Sequence, residues 1–419
     1  MLRVVLFNSI EFLIFLPIVF VLYWALNRHR RGQNFLLLLA SYVFYGWWDW
    51  RFLSLIFISS LLDFFLGSVL SGTKDKFRRK ALVGISLGIN LGLLGFFKYY
   101  DFFVEEFIDA FQGAGIELNA RTLNVILPVG ISFYTFQTLS YTLDVYKRRI
   151  EACKDPLAFF TFVSFFPQLV AGPIERASNL IPQFQKDRTF DSIEAVKGLK
   201  KILWGLFKKV VIADSCASHV DFIFSNHETL PGSLLLLGAV YFAFQTYGDF
   251  SGYSDIAIGT ARLFGVRLMR NFAYPYFSRD IAEFWRRWHI SLSTWFRDYL
   301  YIPLGGNRVS KGKAIRNIFV IFLVSGFWHG ANWTFLVWGG LNALYFLPSF
   351  ILKRNRKFVS EIAGSKWLPS LRELIGIGIT FTLTCFAWIF LGLTIWERPF
   401  HISMASSPLP FLAPLEIQI

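Results

Sequence analysis

The chain has 419 residues, of which 54% are hydrophobic and only 17% are charged, and its mean hydropathy is +0.47. Soluble domains contain about 45–50% apolar and about 25% charged residues, so this composition excludes a soluble enzyme, a disordered chain and a disulfide scaffold. The net charge of +14 comes from Lys and Arg in the loops between apolar stretches, which is typical of cytoplasmic loops on anionic lipid and does not favour a nucleic-acid partner. The sequence therefore predicts an all-α polytopic membrane protein embedded in the lipid bilayer.

Ten apolar stretches are predicted to cross the membrane as helices. They lie near residues 10–26, 35–50, 52–71, 81–97, 123–143, 202–215, 233–260, 317–330, 334–351 and 373–396. Basic loops stay in the cytoplasm. The basic runs at 28–31, 74–80 and 147–149 therefore place their loops inside, and the acidic segment 101–117 lies outside. This alternation predicts an N-terminus outside the cytoplasm.

Two further segments are not expected to cross as simple helices. Residues 157–174 are apolar but contain Pro167, Gly172 and Pro173, and basic residues flank both ends. Because both flanks favour the cytoplasm, this segment is predicted to enter the membrane and return, with its broken backbone buried in protein or lining a wet cavity. The arginine-rich segment 265–316, with its interleaved aromatics, is predicted to form amphipathic helices at the cytoplasmic interface.

His329 is the most informative polar residue within a predicted span. It lies between Gly326 and Gly330, which are expected to leave room on either side of the imidazole ring. A neutral imidazole can accept a proton from a hydroxyl and return it to a leaving group, so His329 is a candidate general base. The alternative is a packing histidine that is hydrogen-bonded to a backbone carbonyl or to Asn332.

A second histidine, His289, follows the aromatic residues Trp285 and Trp288. At helical spacing the three side chains share one face, and Arg286 and Arg287 point away from it. On its own this pattern favours an interfacial helix whose aromatics form a membrane belt and whose arginines meet lipid phosphates. The alternative is a second functional histidine.

Two carboxylates, Asp249 and Asp255, interrupt the predicted span 233–260. Their spacing does not place them on the same helical face, which argues against a catalytic carboxylate pair. The polar run is instead predicted to break the helix and present its backbone to a cavity. Two other intramembrane carboxylates, Asp63 and Asp144, are predicted to form ion pairs or caps. No metal centre is predicted, because the chain has no HExxH motif and no cysteine cluster.

Taken together, these segments resemble the membrane-bound O-acyltransferase (MBOAT) family, in its bacterial branch that O-acetylates polysaccharides such as alginate. The resemblance covers roughly residues 5–390, and residues 391–419 form an atypical C-terminal tail that is interpreted as a truncation. The matching runs, in order, are 6–9, 127–137, 170–174, 249–255, 284–289, 301–307 and 325–330.

The resemblance implies that His329 is the intramembrane catalytic histidine and His289 the second functional polar residue. It also implies a single domain over 1–390, with tilted helices around a central tunnel that the donor enters from the cytoplasm. The residues expected to bind the donor are Trp285, Arg286, Arg287 and Arg297, and those expected to line the tunnel are Asp249, Ser251, Tyr253, Trp328 and Asn332.

The function that follows is transfer of an acetyl group from a cytoplasmic acyl thioester, acetyl-CoA or another, with no bound cofactor. The acceptor is the hydroxyl of an extracytoplasmic polysaccharide, of peptidoglycan, or of a periplasmic partner protein that relays the group, and the location is the bacterial inner membrane. Two alternatives stay open. One is D-alanyl transfer to teichoic acid. The other is a polysaccharide transporter, which would explain buried carboxylates but not two histidines beside Trp and Gly.

Overall fold

The computed structural model describes residues 7–113, 116, 122–123, 126–170, 172–360, 362–364 and 367–396. Over these residues the regular structure is helical, without a β-strand, which confirms the predicted all-α class. The α-helices, in chain order, are α1 Ile10–Ala25, α2 Arg30–Asp49, α3 Leu53–Gly72, α4 Lys76–Gly113, α5 Ile131–Tyr146, α6 Pro156–Ser164, α7 Phe166–Leu169, α8 Ala177–Phe184, α9 Ser192–Leu206, α10 Asp214–Ser225, α11 Gly232–Leu263, α12 Ile281–Arg287, α13 Ile290–Phe296, α14 Lys311–His329, α15 Trp333–Ile351 and α16 Leu371–Trp396.

The chain divides into two compact units. Unit 1 comprises Met1–Ile202 and Ile256–Leu268, and unit 2 comprises Leu203–Asp255 and Met269–Ile419. Helix α11 contributes its larger part to unit 2 and its last turns to unit 1. Every residue predicted from the sequence to belong to the functional site falls in unit 2.

Within the described residues, four helical runs are long and apolar enough to cross a bilayer. They are Arg30–Gly72, Lys76–Gln112, Trp333–Ile351 and Leu371–Gly392, and two shorter apolar runs are Ile10–Ala25 and Pro156–Leu169. These helices support a multi-pass membrane protein, whereas the count of ten crossings stays a prediction. Helix α16 continues through residue 390 to Trp396, and the rest of the predicted tail lies outside the described residues.

Helix α4 carries opposite charges at its two ends. It has 38 residues, and at a rise of about 1.5 Å per residue it is roughly 57 Å long. The hydrocarbon core of a bilayer is only about 30 Å thick. The basic N-terminal turn at Lys76 and the acidic turns at Glu105 and Glu106 therefore emerge on opposite sides of any membrane that this helix crosses.

Cysteine labelling in intact cells tests this orientation. In a variant without the native cysteines, Cys in place of Lys76 or Arg148 is expected to resist an impermeant thiol reagent, because both positions lie in basic loops. Cys in place of the exposed Glu105 is expected to react, and permeabilised cells provide the control in which all three react. Labelling of the first two positions alone in intact cells would contradict the orientation.

Asp63 and Asp144, the two carboxylates predicted to form ion pairs or caps, are satisfied in different ways. Asp144 pairs with Arg149 at 3.4 Å, which confirms the predicted ion pair. Asp63 is fully buried and instead accepts hydrogen bonds from neutral groups of α4 and α5, the hydroxyls of Ser86 and Thr142 and the amide of Asn90. Neutral donors satisfy this carboxylate, so the ion pair or cap predicted for Asp63 is wrong.

The apolar segment 157–174 folds as two short helices with a break between them. Asp155 caps α6 by accepting from the backbone N–H groups of Leu157 and Ala158, and the chain leaves the helix at Phe165. The break is buried, and there the backbone N–H of Phe166 donates to the Ser41 hydroxyl at 3.0 Å. Freed backbone groups thus find partners inside the protein. Entry into the membrane and return of this segment stay predictions.

The segment 265–316 differs from the amphipathic interfacial helices predicted for it. Before α14 it contains a 3₁₀ turn at Pro275–Phe277, the helices α12 and α13, of seven residues each, and a π-helical turn at Arg297–Tyr301. Pro275 and the capping residue Asp280 interrupt helix formation ahead of α12. Buried Arg279 pairs with Glu283 at 2.9 Å and with Glu373 of α16 at 2.8 Å, so it ties two helices together and does not face lipid.

Candidate active site

His289 lies in the tight connection between α12 and α13. Helix α12 ends at Arg287, Trp288 is extended, and His289 adopts the left-handed conformation with φ 42°. The prediction that Trp285, Trp288 and His289 share one helical face is therefore wrong, because the helix ends before His289. A non-glycine residue in this conformation is strained and persists only where its surroundings hold it.

Asn271 is the residue that holds this connection. Its backbone carbonyl accepts from the N–H of Ile290 at 2.9 Å. Its side-chain Oδ1 lies 3.1 Å from His289 Nδ1 and accepts from the backbone N–H and the hydroxyl of Ser291 at 3.2 and 2.9 Å. Its Nδ2 donates to the hydroxyl of Ser254 on α11 at 3.1 Å. Asn271 is fully buried, so the imidazole of His289 is fixed in position and orientation.

Aromatic rings surround the His289 imidazole. Phe250 of α11 meets it edge to face at a centroid distance of 4.7 Å, and Phe272 stacks at 6.3 Å. The side chain is 1% exposed. Burial in this apolar environment lowers the pKa of His289 to about 3, so the ring is neutral at physiological pH.

His329 ends α14 and lies in the same cluster of rings. Its imidazole meets Trp338 of α15 edge to face at 4.8 Å, and Trp338 stacks on Trp388 of α16 at 5.8 Å with an interplanar angle of 15°. The indole of Trp328 contacts both imidazoles, 5.1 Å from His329 and 6.2 Å from His289 between centroids. The structure thus brings together the two histidines that the sequence singled out.

The glycines that flank His329 serve the packing of α14 against α15. A Cβ on Gly326 would lie 2.2 Å from the Phe335 carbonyl oxygen, and one on Gly330 would lie 1.9 Å from the Phe335 ring. The prediction that these glycines leave room beside the imidazole is wrong, because Phe335 occupies that space. The absence of side chains here lets α15 approach closely and bring Trp338 onto His329.

The carboxylates of α11 are paired with lysines. Asp249, fully buried, pairs with Lys209 at 2.8 Å, and Asp255 pairs with Lys208 at 2.6 Å. Both lysines lie in the π-helical segment Phe207–Ala213 between α9 and α10, and π-helical segments are rare and frequent at functional sites. Helix α11 is continuous from Gly232 to Leu263, so the predicted helix break is wrong. The ion pairs neutralise the two carboxylates inside an unbroken helix.

The remaining residues expected to line a tunnel have partners within the protein. Ser251 accepts a hydrogen bond from Lys208 at 2.9 Å. Tyr253 is buried, with the Lys209 ammonium 5.6 Å from its ring centroid. Asn332 caps α15 by accepting from the N–H of Thr334 at 2.9 Å. A role of these residues along a tunnel stays a prediction.

The residues expected to bind the donor contact the protein itself. Arg286 donates to the carbonyls of Asn355 and Phe358 at 2.6 and 2.7 Å, and Arg287 pairs with Glu283 at 2.7 Å. Arg297 is more than half exposed and pairs with Asp298 at 2.8 Å, and Trp285 packs edge-on against Trp338 at 5.8 Å. Arg286 and Arg287 thus fix the loop after α15 and the end of α12.

Sequence reasoning missed three functional elements of this site. Asn271 sits in a polar and basic stretch and carries no motif of its own. Trp338 follows His329 by nine residues, and a helical hairpin at Gly330 is what brings it back onto the imidazole. Lys208 and Lys209 lie within the predicted span 202–215, and nothing in the local sequence indicates that they pair with carboxylates about forty residues later.

The site can perform proton transfer in a water-poor environment. Two imidazoles share contact with one indole, and one of them is held neutral by burial. Such a pair suits a reaction in which a weakly acidic hydroxyl gives up a proton and a leaving group receives one.

Comparison with known proteins identifies the family. The model of the membrane-bound O-acyltransferase family matches residues 43–386. The chain is 42% identical to a probable alginate O-acetylase of Pseudomonas putida over 91% of this chain and 76% of that protein. It is 37% identical to a peptidoglycan O-acetyltransferase of Helicobacter pylori over 92% of this chain and 77% of that protein.

A teichoic acid D-alanyltransferase of Bacillus subtilis is 30% identical over 66% of this chain and 71% of that protein.

The chain belongs to the membrane-bound O-acyltransferase family. It is an acyltransferase of the membrane, and relatives at about 40% identity are named as probable alginate O-acetylases and a peptidoglycan O-acetyltransferase. The resemblance found in the sequence motifs is confirmed.

Proposed function

We propose that this protein transfers an acetyl group from a cytoplasmic acyl thioester to a hydroxyl of an extracytoplasmic glycan, or to a partner protein that relays it, in the bacterial inner membrane. The observation that carries the proposal is the buried contact of His329 and His289 with the same indole, in a chain whose relatives are named for O-acetylation of alginate and peptidoglycan. The proposal includes about ten membrane crossings around a tunnel, so that donor and acceptor reach the histidines from opposite faces.

The chemistry is a direct acyl transfer. His329 takes the proton of the acceptor hydroxyl while the oxygen attacks the thioester carbonyl carbon, and a tetrahedral intermediate forms. When the intermediate collapses, the carbon–sulfur bond breaks and the proton held by His329 passes to the leaving thiolate. An ester and a free thiol result, and the enzyme returns to its starting state. His289, fixed by Asn271, orients the substrates beside the base.

Acetyl-CoA and carrier-bound acetyl are both thioesters, and we propose that arginines near the His289 connection hold the donor phosphate. Replacement of Arg297, an exposed member of this group, by Gln is expected to raise the KM for donor several-fold and leave kcat unchanged, because uniform binding is lost. Steady-state kinetics with acetyl-CoA measure this. The matched control is Arg286→Gln, whose guanidinium serves two backbone carbonyls and whose loss is expected to lower Tm. A donor KM unchanged in Arg297→Gln would remove this residue from donor binding.

D-alanyl transfer to teichoic acid is the second candidate, and the relative of that name at 30% identity supports it.

Acetyl transfer can be tested directly: detergent-purified protein is incubated with labelled acetyl-CoA and with de-O-acetylated envelope glycan from its host. Formation of a base-labile acetyl ester, with release of free thiol, supports the proposal. Transfer of D-alanine from its carrier thioester without transfer of acetyl would contradict it. Vectorial glycan movement without acyl chemistry would favour a transporter.

A further inference from the structure

We propose that Asn271 is a positioning residue that locks His289 in the tautomer carrying its proton on Nδ1, so that the Nε2 lone pair receives an O–H or N–H hydrogen from a substrate. The inference rests on the function proposed above. It assigns to His289 the role of hydrogen-bond acceptor in the ground state, a role distinct from that of His329.

The orientation of the Asn271 amide follows from its neighbours. The backbone N–H of Ser291 can only donate, and it faces Oδ1 at 3.2 Å, whereas Nδ2 faces the Ser254 hydroxyl at 3.1 Å. The amide oxygen therefore faces His289. The Ser291 hydroxyl also lies 3.4 Å from His289 Nδ1, but it donates to the Asn271 amide oxygen at 2.9 Å. Because that amide oxygen only accepts hydrogen bonds, the His289 Nδ1 at 3.1 Å from it must carry the hydrogen.

A neutral imidazole with its proton on Nδ1 has its lone pair on Nε2. In the described part of the chain, His289 Nε2 has no hydrogen-bond partner although the ring is 1% exposed. A buried acceptor without a donor is costly, and such groups are retained where a function needs them. Because Nδ1 faces Asn271 at 3.1 Å, Nε2 lies on the opposite side of the ring and points away from Asn271.

The electrostatic surroundings keep this acceptor neutral. Phe250 and Phe272 pack on the ring, and burial alone accounts for the lowered pKa of His289. On α11 the carboxylates of Asp249 and Asp255 are paired with Lys209 and Lys208. On α14, His329 lies across the Trp328 indole. A carboxylate placed at position 271 would therefore be the main new charge that acts on the pKa of the His289 imidazole.

The test replaces Asn271 by Asp in the full-length chain. The carboxylate would stabilise the imidazolium, raise the pKa of His289 and turn Nε2 into a donor below that pKa. With acetyl-CoA and host glycan as substrates, the ratio of kcat/KM between Asn271→Asp and wild type is expected to rise at least about tenfold between about pH 6 and about pH 9. Any pH dependence that the two proteins share cancels in the ratio.

Asn317→Asp is the matched control, because Asn317 is also fully buried and its amide donates to the carbonyls of Leu304 and Gly306. Its ratio to wild type is expected to be independent of pH. A purely structural role of Asn271 predicts an equally flat ratio for Asn271→Asp, and that result, or wild-type kcat in Asn271→Ala, would overturn the inference.

The tautomer of His289 can also be measured in an experiment that does not depend on acyl transfer. In protein with ¹⁵N-labelled histidine, solid-state NMR is expected to show a protonated Nδ1 and a bare Nε2 for His289, assigned by the loss of its signals in His289→Ala. A protonated Nε2 in the wild-type protein would overturn the inference whether or not acetyl transfer is found. Failure of acetyl transfer with the expected tautomer would contradict the proposed function alone.

Discussion

Replacing His329 by alanine is expected to reduce acetyl transfer at least about a hundredfold, because general-base catalysis contributes typically 10²–10⁴-fold to such rates. The imidazole is 6% exposed and packs on Trp338, so its removal leaves a small cavity and a modest loss of stability. Labelled acetate transferred to glycan per amount of purified protein measures the rate, and yield and Tm measure folding.

His219→Ala is the matched control, since His219 is an exposed histidine of the same unit that contacts the Ser215 carbonyl. It is expected to retain wild-type activity and Tm. If His329→Ala transferred acetyl within about threefold of wild type at equal protein level, His329 would not be the base. If the yield and Tm of His329→Ala fell sharply together with its activity, His329 would be a packing residue.

Replacing Lys209 by methionine is expected to lower the stability of the protein by a large amount. Lys209 is 4% exposed, and the variant leaves the fully buried Asp249 without its ammonium partner at 2.8 Å. Breaking a buried ion pair in this way typically costs about 3–5 kcal/mol. Thermal unfolding in detergent is expected to show a markedly lower Tm, and the double variant Lys209→Met with Asp249→Asn is expected to recover most of the loss.

The control for this prediction is Lys197→Met. Lys197 forms an exposed pair with Glu194 at 2.8 Å, one helical turn apart, and such pairs contribute little. A Tm of Lys209→Met equal to that of Lys197→Met would show that Asp249 is satisfied by other groups. The ion pairs of the π-helical segment would then not stabilise α11.

Much of the fold was predictable from the sequence because hydrophobic length is a strong signal. The apolar stretches correspond to helices, and the charges at either end of α4 indicate its orientation. The errors arose where tertiary partners override local patterns. The polar run in α11 resembles a helix break, yet it stays helical because Lys208 and Lys209, some forty residues earlier, neutralise its carboxylates.

The site was predictable in its two histidines and not in their supports. His329 and His289 stand out because ionisable residues are rare in apolar surroundings. The role of Asn271 depends on a left-handed turn at His289, which no periodicity reveals. Gly326 and Gly330 were expected to leave room beside the His329 ring. Phe335 of the next helix fills that space instead, and only the packed structure shows this.

The central claim is that this chain esterifies an extracytoplasmic glycan through His329. Its most direct test is the base-labile acetate content of envelope glycans in a host strain that lacks the chain and is complemented in turn with wild-type protein and with His329→Ala at equal membrane levels. The account predicts that acetate is lost on deletion, restored by wild type and not restored by His329→Ala. Acetate content that is unchanged by deletion, or restored equally by both proteins, would contradict it.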